Sequence, residues 1–229
     1  MKKTLLGILV LALALVGFTA CGKKKEEEKK ETEKPKTNYL VLVNKENKLP
    51  DNWEDTIELV SDKDAWGDEV KVEKEALAEF KKLQAELKNE GIEIELDSIY
   101  RSVAEQQDLW DRWSADPEKG PEYVKKYVAV PGYSEHHTGL AIDVCLKIKG
   151  EIVADNDEMI KQKKIWKTVH PKLADYGFIL RYPDGKKDIT GYAYEPWHFR
   201  YVGSKEIAHE IMDNDLTFEE YLESKKESK

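Results

Sequence analysis

Residues 134–146 read S-E-H-H-T-G-L-A-I-D-V-C-L. From Leu140 onward, Leu140, Ile142 and Val144 face one way, while Ala141, Asp143 and Cys145 face the other. This is the period-two pattern of a strand with one apolar face. The opposite face is small except for one carboxylate, which leaves room beside Asp143. Ahead of the strand, Thr138-Gly139 is a turn able to fold the His136 imidazole back toward Asp143.

Outward from this segment, helices and strands follow one another without a βαβ rhythm. Tyr39–Val43 reads as a first strand, and Ile92–Tyr100 as another. Val72–Asn89 places Leu77, Phe80, Leu83 and Leu87 on one helical stripe, with Gly91 as the stop. Ser102-Val103-Ala104-Glu105 is a capping box that opens a helix carrying Leu109, Trp110 and Trp113. Ile160–Tyr176 is helical in pattern, with Pro171 as a splitting point, and Phe178–Tyr182 and Trp197–Val202 are two more short strands. The sum predicts an α+β fold with a largely antiparallel sheet. The six Trp are more simply core residues than a sugar-stacking platform.

The ends of the chain are of a different character. Lys2 and Lys3 precede an apolar run, Leu5–Ala20, that is shorter than the roughly 20 residues of a membrane-spanning helix. Residues 1–20 therefore read as a secretory signal. The run ends Phe18-Thr19-Ala20-Cys21, which resembles a bacterial lipobox with Cys21 as the lipidated N-terminus, although Phe18 stands where that pattern usually has Leu. Residues 22–37 hold seven Lys and five Glu and no aliphatic side chain, so 21–37 is expected to be a lipidated, solvated tether. The expected folded domain spans 38–216, and residues 217–229 are expected to form a charged, frayed tail. The domain is thus placed outside the cytoplasm, on the membrane through its lipid. With Cys21 lipidated, Cys145 has no partner and is expected to be a small buried apolar residue. A net charge of −9, with no basic cluster beside the histidine motifs, argues against a nucleic-acid partner. Oligomeric state stays open, with a monomer the expectation.

A second motif, Glu195-Pro196-Trp197-His198, completes the chemistry. A catalytic zinc takes three protein ligands from His, Asp or Glu and keeps a position for water. His136, Asp143 and His198 supply such a set, and Glu195 a base. In a regular strand Glu195 and His198 would point oppositely, so a bend at Pro196 is required to bring them together. A lone histidine near a strand is more often structural than metal-bound; the joint motifs carry the metal reading. His137 is expected at the rim of the site or just behind its ligands, and His170 at the surface or in packing. His209-Glu210 begins like H-E-x-x-H, but Asp213 stands where the second histidine belongs, so that zinc helix is excluded.

The pattern S-x-H-x-x-G-x-A-x-D, met by Ser134, His136, Gly139, Ala141 and Asp143, together with E-x-W-H at Glu195, Trp197 and His198, resembles the zinc D,D-carboxypeptidases. That family includes VanY-type enzymes and the pneumococcal L,D-carboxypeptidase. Tyr100-Arg101-Ser102 with Gln106, and Tyr176-Gly177-Phe178, extend the likeness over most of residues 38–212. The resemblance implies the Hedgehog/D,D-peptidase zinc fold, a small sheet with helices mainly on one side. It implies Zn2+ on His136, Asp143 and His198, with Glu195 as general base and then proton donor. Arg101 would stabilise the oxyanion or the substrate carboxylate, Gln106 and Ser134 would contact the peptide, and Tyr182 would wall the pocket. The implied reaction is removal of the terminal D-alanine from a peptidoglycan stem peptide. The alternatives are L,D-cleavage of a tetrapeptide stem or a non-catalytic wall-binding lipoprotein. The last would be marked by loss of the base, and Glu195 is present.

Overall fold

The computed structural model describes residues 36–117 and 120–227. The expected signal segment, Cys21 and most of the tether lie outside the described residues. Within them, a hairpin of β1 (Leu59–Lys63) and β2 (Glu69–Glu73) leads into α1 (Lys74–Asn89), β3 (Glu93–Leu96), α2 (Val103–Ser114) and α3 (Gly120–Tyr127). Next come β4 (Ala141–Ile148), β5 (Glu151–Val153), α4 (Asn156–Lys161), α5 (Lys163–Val169) and β6 (Phe178–Leu180). The chain closes with α6 (Lys187–Thr190), β7 (His198–Tyr201), α7 (Lys205–Asp213) and α8 (Phe218–Glu227). The main sheet has the order β3-β4-β7-β6 with β5 beside β4, and every pairing is antiparallel. The α+β expectation therefore holds.

The core forms where the period-two and period-3.6 patterns meet. Leu140, Ile142, Val144 and Leu146 present the apolar face of β4 to Phe80, Leu83 and Leu87 of α1, all fully or almost fully buried. The helix starts two residues later than its apolar pattern suggests. Val72 and Glu73 complete β2 instead, and the Glu73 side chain caps α1 by accepting from the Ala76 amide at 2.9 Å. The capping box of α2 is present in both directions: Ser102 Oγ accepts from the Glu105 amide, and the Glu105 carboxylate accepts from the Ser102 amide.

Three local expectations are corrected. Tyr39–Val43 forms no strand: Tyr39 and Leu40 lie in a turn, Val41–Val43 are irregular, and the carbonyls of Tyr39 and Val41 accept from the Arg200 guanidinium rather than from a neighbouring strand. The helical pattern of Ile160–Tyr176 breaks into α4, α5 and two 3-10 turns, His170–Lys172 and Ala174–Tyr176; Pro171 sits in the first, where its missing N–H and its ring rule out a longer helix. The expected tail is instead α8, with Phe218 and Tyr221 buried against Ile179, Val202, Ala208 and Ile211. Its aromatic stripe outweighs the surrounding charges.

Gly139 makes the turn that joins His136 to β4. Its φ is +71°, a left-handed conformation that costs an L-residue about 1–2 kcal/mol. A Cβ there would also stand 2.8 Å from Cδ2 of Leu59, a flexible side chain that can yield. Gly139→Ala is expected to lose about 1–2 kcal/mol in urea unfolding. An unchanged midpoint would show that the turn relaxes freely.

Candidate metal and catalytic site

The register of β4 against β7 builds the site. Asp143 faces His198 directly across the antiparallel pair, so both side chains leave the same side of the sheet. His136 reaches the same point from a 3-10 turn, Glu135–Thr138, in which the His136 amide donates to Ser134 Oγ at 3.3 Å. One donor atom from each of His136, Asp143 and His198 lies within 4.8 Å of the other two. His136 Nδ1 donates to the Ile99 carbonyl at 2.7 Å, so Nε2 is the free donor atom; it lies 3.3 Å from Asp143 Oδ2. His198 Nε2 donates to Glu135 Oε2 at 3.3 Å, which leaves Nδ1 facing Asp143 Oδ1 at 2.8 Å.

Asp143 Oδ1 is buried, and although His198 Nδ1 is close, it receives no properly directed hydrogen bond. A buried carboxylate oxygen in that state demands another positive partner. Two imidazole nitrogens with fixed tautomers and one such carboxylate suit a borderline cation like zinc, and the residues fit that ion. Burial acts to raise the pKa of Asp143, but His136 and His198 outweigh it and hold the carboxyl well below its usual range. Burial, with Arg101, lowers the pKa of His136 despite Asp143 and keeps its ring neutral. For His198 burial is overcome by Asp143 and Glu135, which raise its pKa to about 10, so a proton and a cation compete for Nδ1.

Glu195 sits in the turn before β7. The His198 amide donates to the Glu195 carbonyl at 3.2 Å, and the Glu195 amide donates to the Tyr182 carbonyl at 3.1 Å. The required bend at Pro196 is there, held by His170 Nε2 donating to the Pro196 carbonyl at 3.0 Å. It carries Glu195 Oε2 to 3.8 Å from His198 Nδ1. Burial raises the Glu195 pKa to about 7; His198 and Lys45 pull it down, while Asp143 and Glu135 push it up. A carboxyl poised near neutrality can both accept and return a proton.

A cavity of about 380 Å³ opens over these groups and is also lined by Arg101, Gln106, Ser134, Tyr182, Tyr192 and Trp197. Arg101 is fixed by donating Nη1 to Gln106 Oε1 and Nη2 to Ser98 Oγ, both at 2.7 Å. Gln106 is fully buried and spends its amide nitrogen on the Ala129 carbonyl at 2.7 Å, so both ends of its amide are engaged within the protein. Tyr182 is buried with its ring 4.7 Å from that of His198. Cys145 is a free, buried thiol.

Two buried residues back the site. His137 is 1% exposed and stands behind the site rather than at its rim: its Nε2 accepts from the Gly132 amide in its own loop and its Nδ1 donates to the Arg101 carbonyl, tying that loop to the one before α2. Glu135 carries no signal of its role in the sequence. It is buried and joined to His198, Arg181 and Arg200. Burial acts to raise its pKa, but the two guanidiniums hold the carboxyl far below its usual range. Nothing in the sequence around Glu135 signals this, because its partners come from β7 and from the segment just after β6.

The family described as VanY: D-alanyl-D-alanine carboxypeptidase matches residues 69–204, a span that ends before α7 and α8. Among curated relatives, the bifunctional D-Ala-D-Ala dipeptidase and D-Ala-D-Ala carboxypeptidase VanXYC of Enterococcus gallinarum is 37% identical over 195 residues, covering 80% of this chain and 93% of its own. The solved structure of the LdcB LD-carboxypeptidase is 39% identical with a TM-score of 0.70, covering 82% of this chain and 86% of that one. A vancomycin-resistance D,D-pentapeptidase VanY variant in complex with Zn(II) is 29% identical with a TM-score of 0.66, covering 80% and 98%.

Proposed function

The chain belongs to the VanY D-alanyl-D-alanine carboxypeptidase family, and from that premise we propose that it is a zinc enzyme removing the terminal D-alanine from peptidoglycan stem peptides. The observation that carries this reading is the convergence of His136, Asp143 and His198 beside Glu195 in one cavity with Arg101.

His136 Nε2, an Asp143 carboxylate oxygen and His198 Nδ1 are the atoms that would hold the metal. Zinc, when bound, supplies a Lewis acid that acidifies water and polarises a carbonyl. Glu195 takes the proton from the attacking water and delivers it to the departing amine of D-alanine. Arg101, with two nitrogens already anchored, presents a fixed cation to the substrate, and we assign it the terminal carboxylate. Gln106 serves as the clamp that holds Arg101, Ser134 shapes the turn beneath the substrate, and Tyr182 walls the pocket beside His198.

If Arg101 binds the carboxylate, Arg101→Gln lowers kcat/KM about 10–100-fold, the worth of one charged hydrogen bond, and most of that loss falls on KM. A loss confined to kcat would instead move Arg101 to the developing oxyanion. We further propose that residues 1–20 direct export and that Cys21 carries the lipid. Residues 21–37 then tether the domain to the outer face of the membrane, where its substrate lies. Palmitate labelling that persists in Cys21→Ala would sink the anchor.

A second reading is favoured by the likeness to the LD-carboxypeptidase structure: cleavage of the L,D bond in a tetrapeptide stem. The purified protein is expected to release D-alanine from a pentapeptide stem faster than from a tetrapeptide. The reverse order would move the assignment to the L,D reaction, and zinc binding without either cleavage would leave only a wall-binding role.

A further inference from the structure

Two fully buried guanidiniums stand behind the site, and neither lines the cavity. Both converge on Glu135 Oε1, Arg181 through Nε at 2.7 Å and Arg200 through Nη1 at 2.8 Å. The other oxygen of Glu135 accepts from His198 Nε2 at 3.3 Å. Arg181 turns its remaining edge to Glu219 of α8, with Nη1 to Oε2 at 2.8 Å and Nη2 to Oε1 at 2.6 Å. That is a fork-on-fork pair, the strongest and most directional form of such a bridge. Asn44 Nδ2 adds a third hydrogen bond to Glu219 at 3.0 Å. The four charged groups sum to zero: two cations and two anions, with the Phe218 ring packed against both guanidiniums.

We propose that Glu135 and, through it, Glu219 are positioning residues for the metal site, so that α8 is part of the enzyme's working machinery. The inference rests on His198 being a ligand. A histidine that donates its distal N–H to a carboxylate is oriented by it and made a better donor, and losing such a partner typically costs 10–100-fold in metal affinity. Glu135 holds the His198 ring with Nδ1 toward Asp143. Glu219 takes up the other edge of Arg181 and shares its charge, so the second oxygen of Glu135 stays available to His198. Without Glu219, the whole charge of Arg181 falls on Glu135, which then binds the guanidinium more tightly and His198 less.

The test is zinc affinity by competition with a chromophoric chelator, together with the visible absorption of the Co(II) form. It compares the full chain with Glu219→Gln and with Leu222→Ala, which removes α8 packing but leaves the charges alone. Glu219→Gln is expected to weaken zinc binding about tenfold and to shift the Co(II) bands, while Leu222→Ala lowers Tm with unchanged affinity. Unchanged affinity in Glu219→Gln overturns the proposal, as does equal weakening in Leu222→Ala, which would reduce α8 to packing. Should Glu219→Gln unfold, the double variant Arg181→Met with Glu219→Met carries the test, since apolar replacement of a buried pair is commonly tolerated. It removes both charges together and is expected to bind zinc like the wild type; a tenfold loss there overturns the charge-balance argument. Wild-type protein that binds no zinc would overturn the metal reading itself, which is a separate outcome.

Discussion

Glu195→Gln is expected to slow peptide hydrolysis about 10³–10⁴-fold, the upper part of the range for general acid–base catalysis, while zinc content stays that of the wild type. The size follows from one carboxylate serving twice, first removing a proton from water and then protonating the leaving amine. The substitution is nearly isosteric and lies outside the three metal donors, so a structural collapse is not the expected cause of the loss. The pH profile provides an independent readout. Burial pushes the Glu195 carboxyl up to about 7, and a bound dication pulls it back down, so wild-type activity rises with pH at a midpoint of 7 or below as the base loses its proton. That rise is expected to vanish in Glu195→Gln. A variant keeping a tenth of the wild-type rate would remove Glu195 from the proton path.

Chelation is expected to abolish activity entirely and added zinc to restore it. The stability consequence is equally large. A ligand that binds only the folded chain stabilises it by about 4 kcal/mol at a thousandfold excess over Kd. In a domain of this size that corresponds to a rise in Tm of roughly 10 °C. The physical source is visible around Asp143, a buried carboxylate with one oxygen lacking a directed donor between two imidazoles. A dication supplies the directed positive partner that this oxygen lacks. Asp143→Asn removes the charged ligand and is expected to erase both the zinc-induced shift and the activity. A full shift in Asp143→Asn would place the metal elsewhere.

The elements of the fold were legible to different degrees, and the reason is locality. The strand through Asp143, the helix of the Ser102–Glu105 capping box and the stop at Gly91 are written in neighbouring residues, and each stands within a few positions of its signal. The segment at Tyr39–Val43 has strand composition but no strand partner, and Arg200 takes the carbonyls of Tyr39 and Val41. The last helix hid behind its charge. Glu219, Glu220, Glu223, Lys225 and Lys226 resemble a solvated tail until Phe218 and Tyr221 find an apolar surface to cover.

Sequence alone determined the donors and the turns: two imidazoles, a carboxylate on the open face of a strand, a turn at Thr138-Gly139 and a proline that bends the chain beside Glu195. Those follow from side-chain chemistry and from backbone torsions that few residues can adopt. Tertiary structure alone decided that Asp143 pairs with His198, that Gln106 clamps Arg101, and that Glu135 is held between two buried guanidiniums answered by α8. Such pairings join residues far apart in the chain, and they are selected by which surfaces can be buried together with every charge matched, a condition that no short stretch of sequence contains.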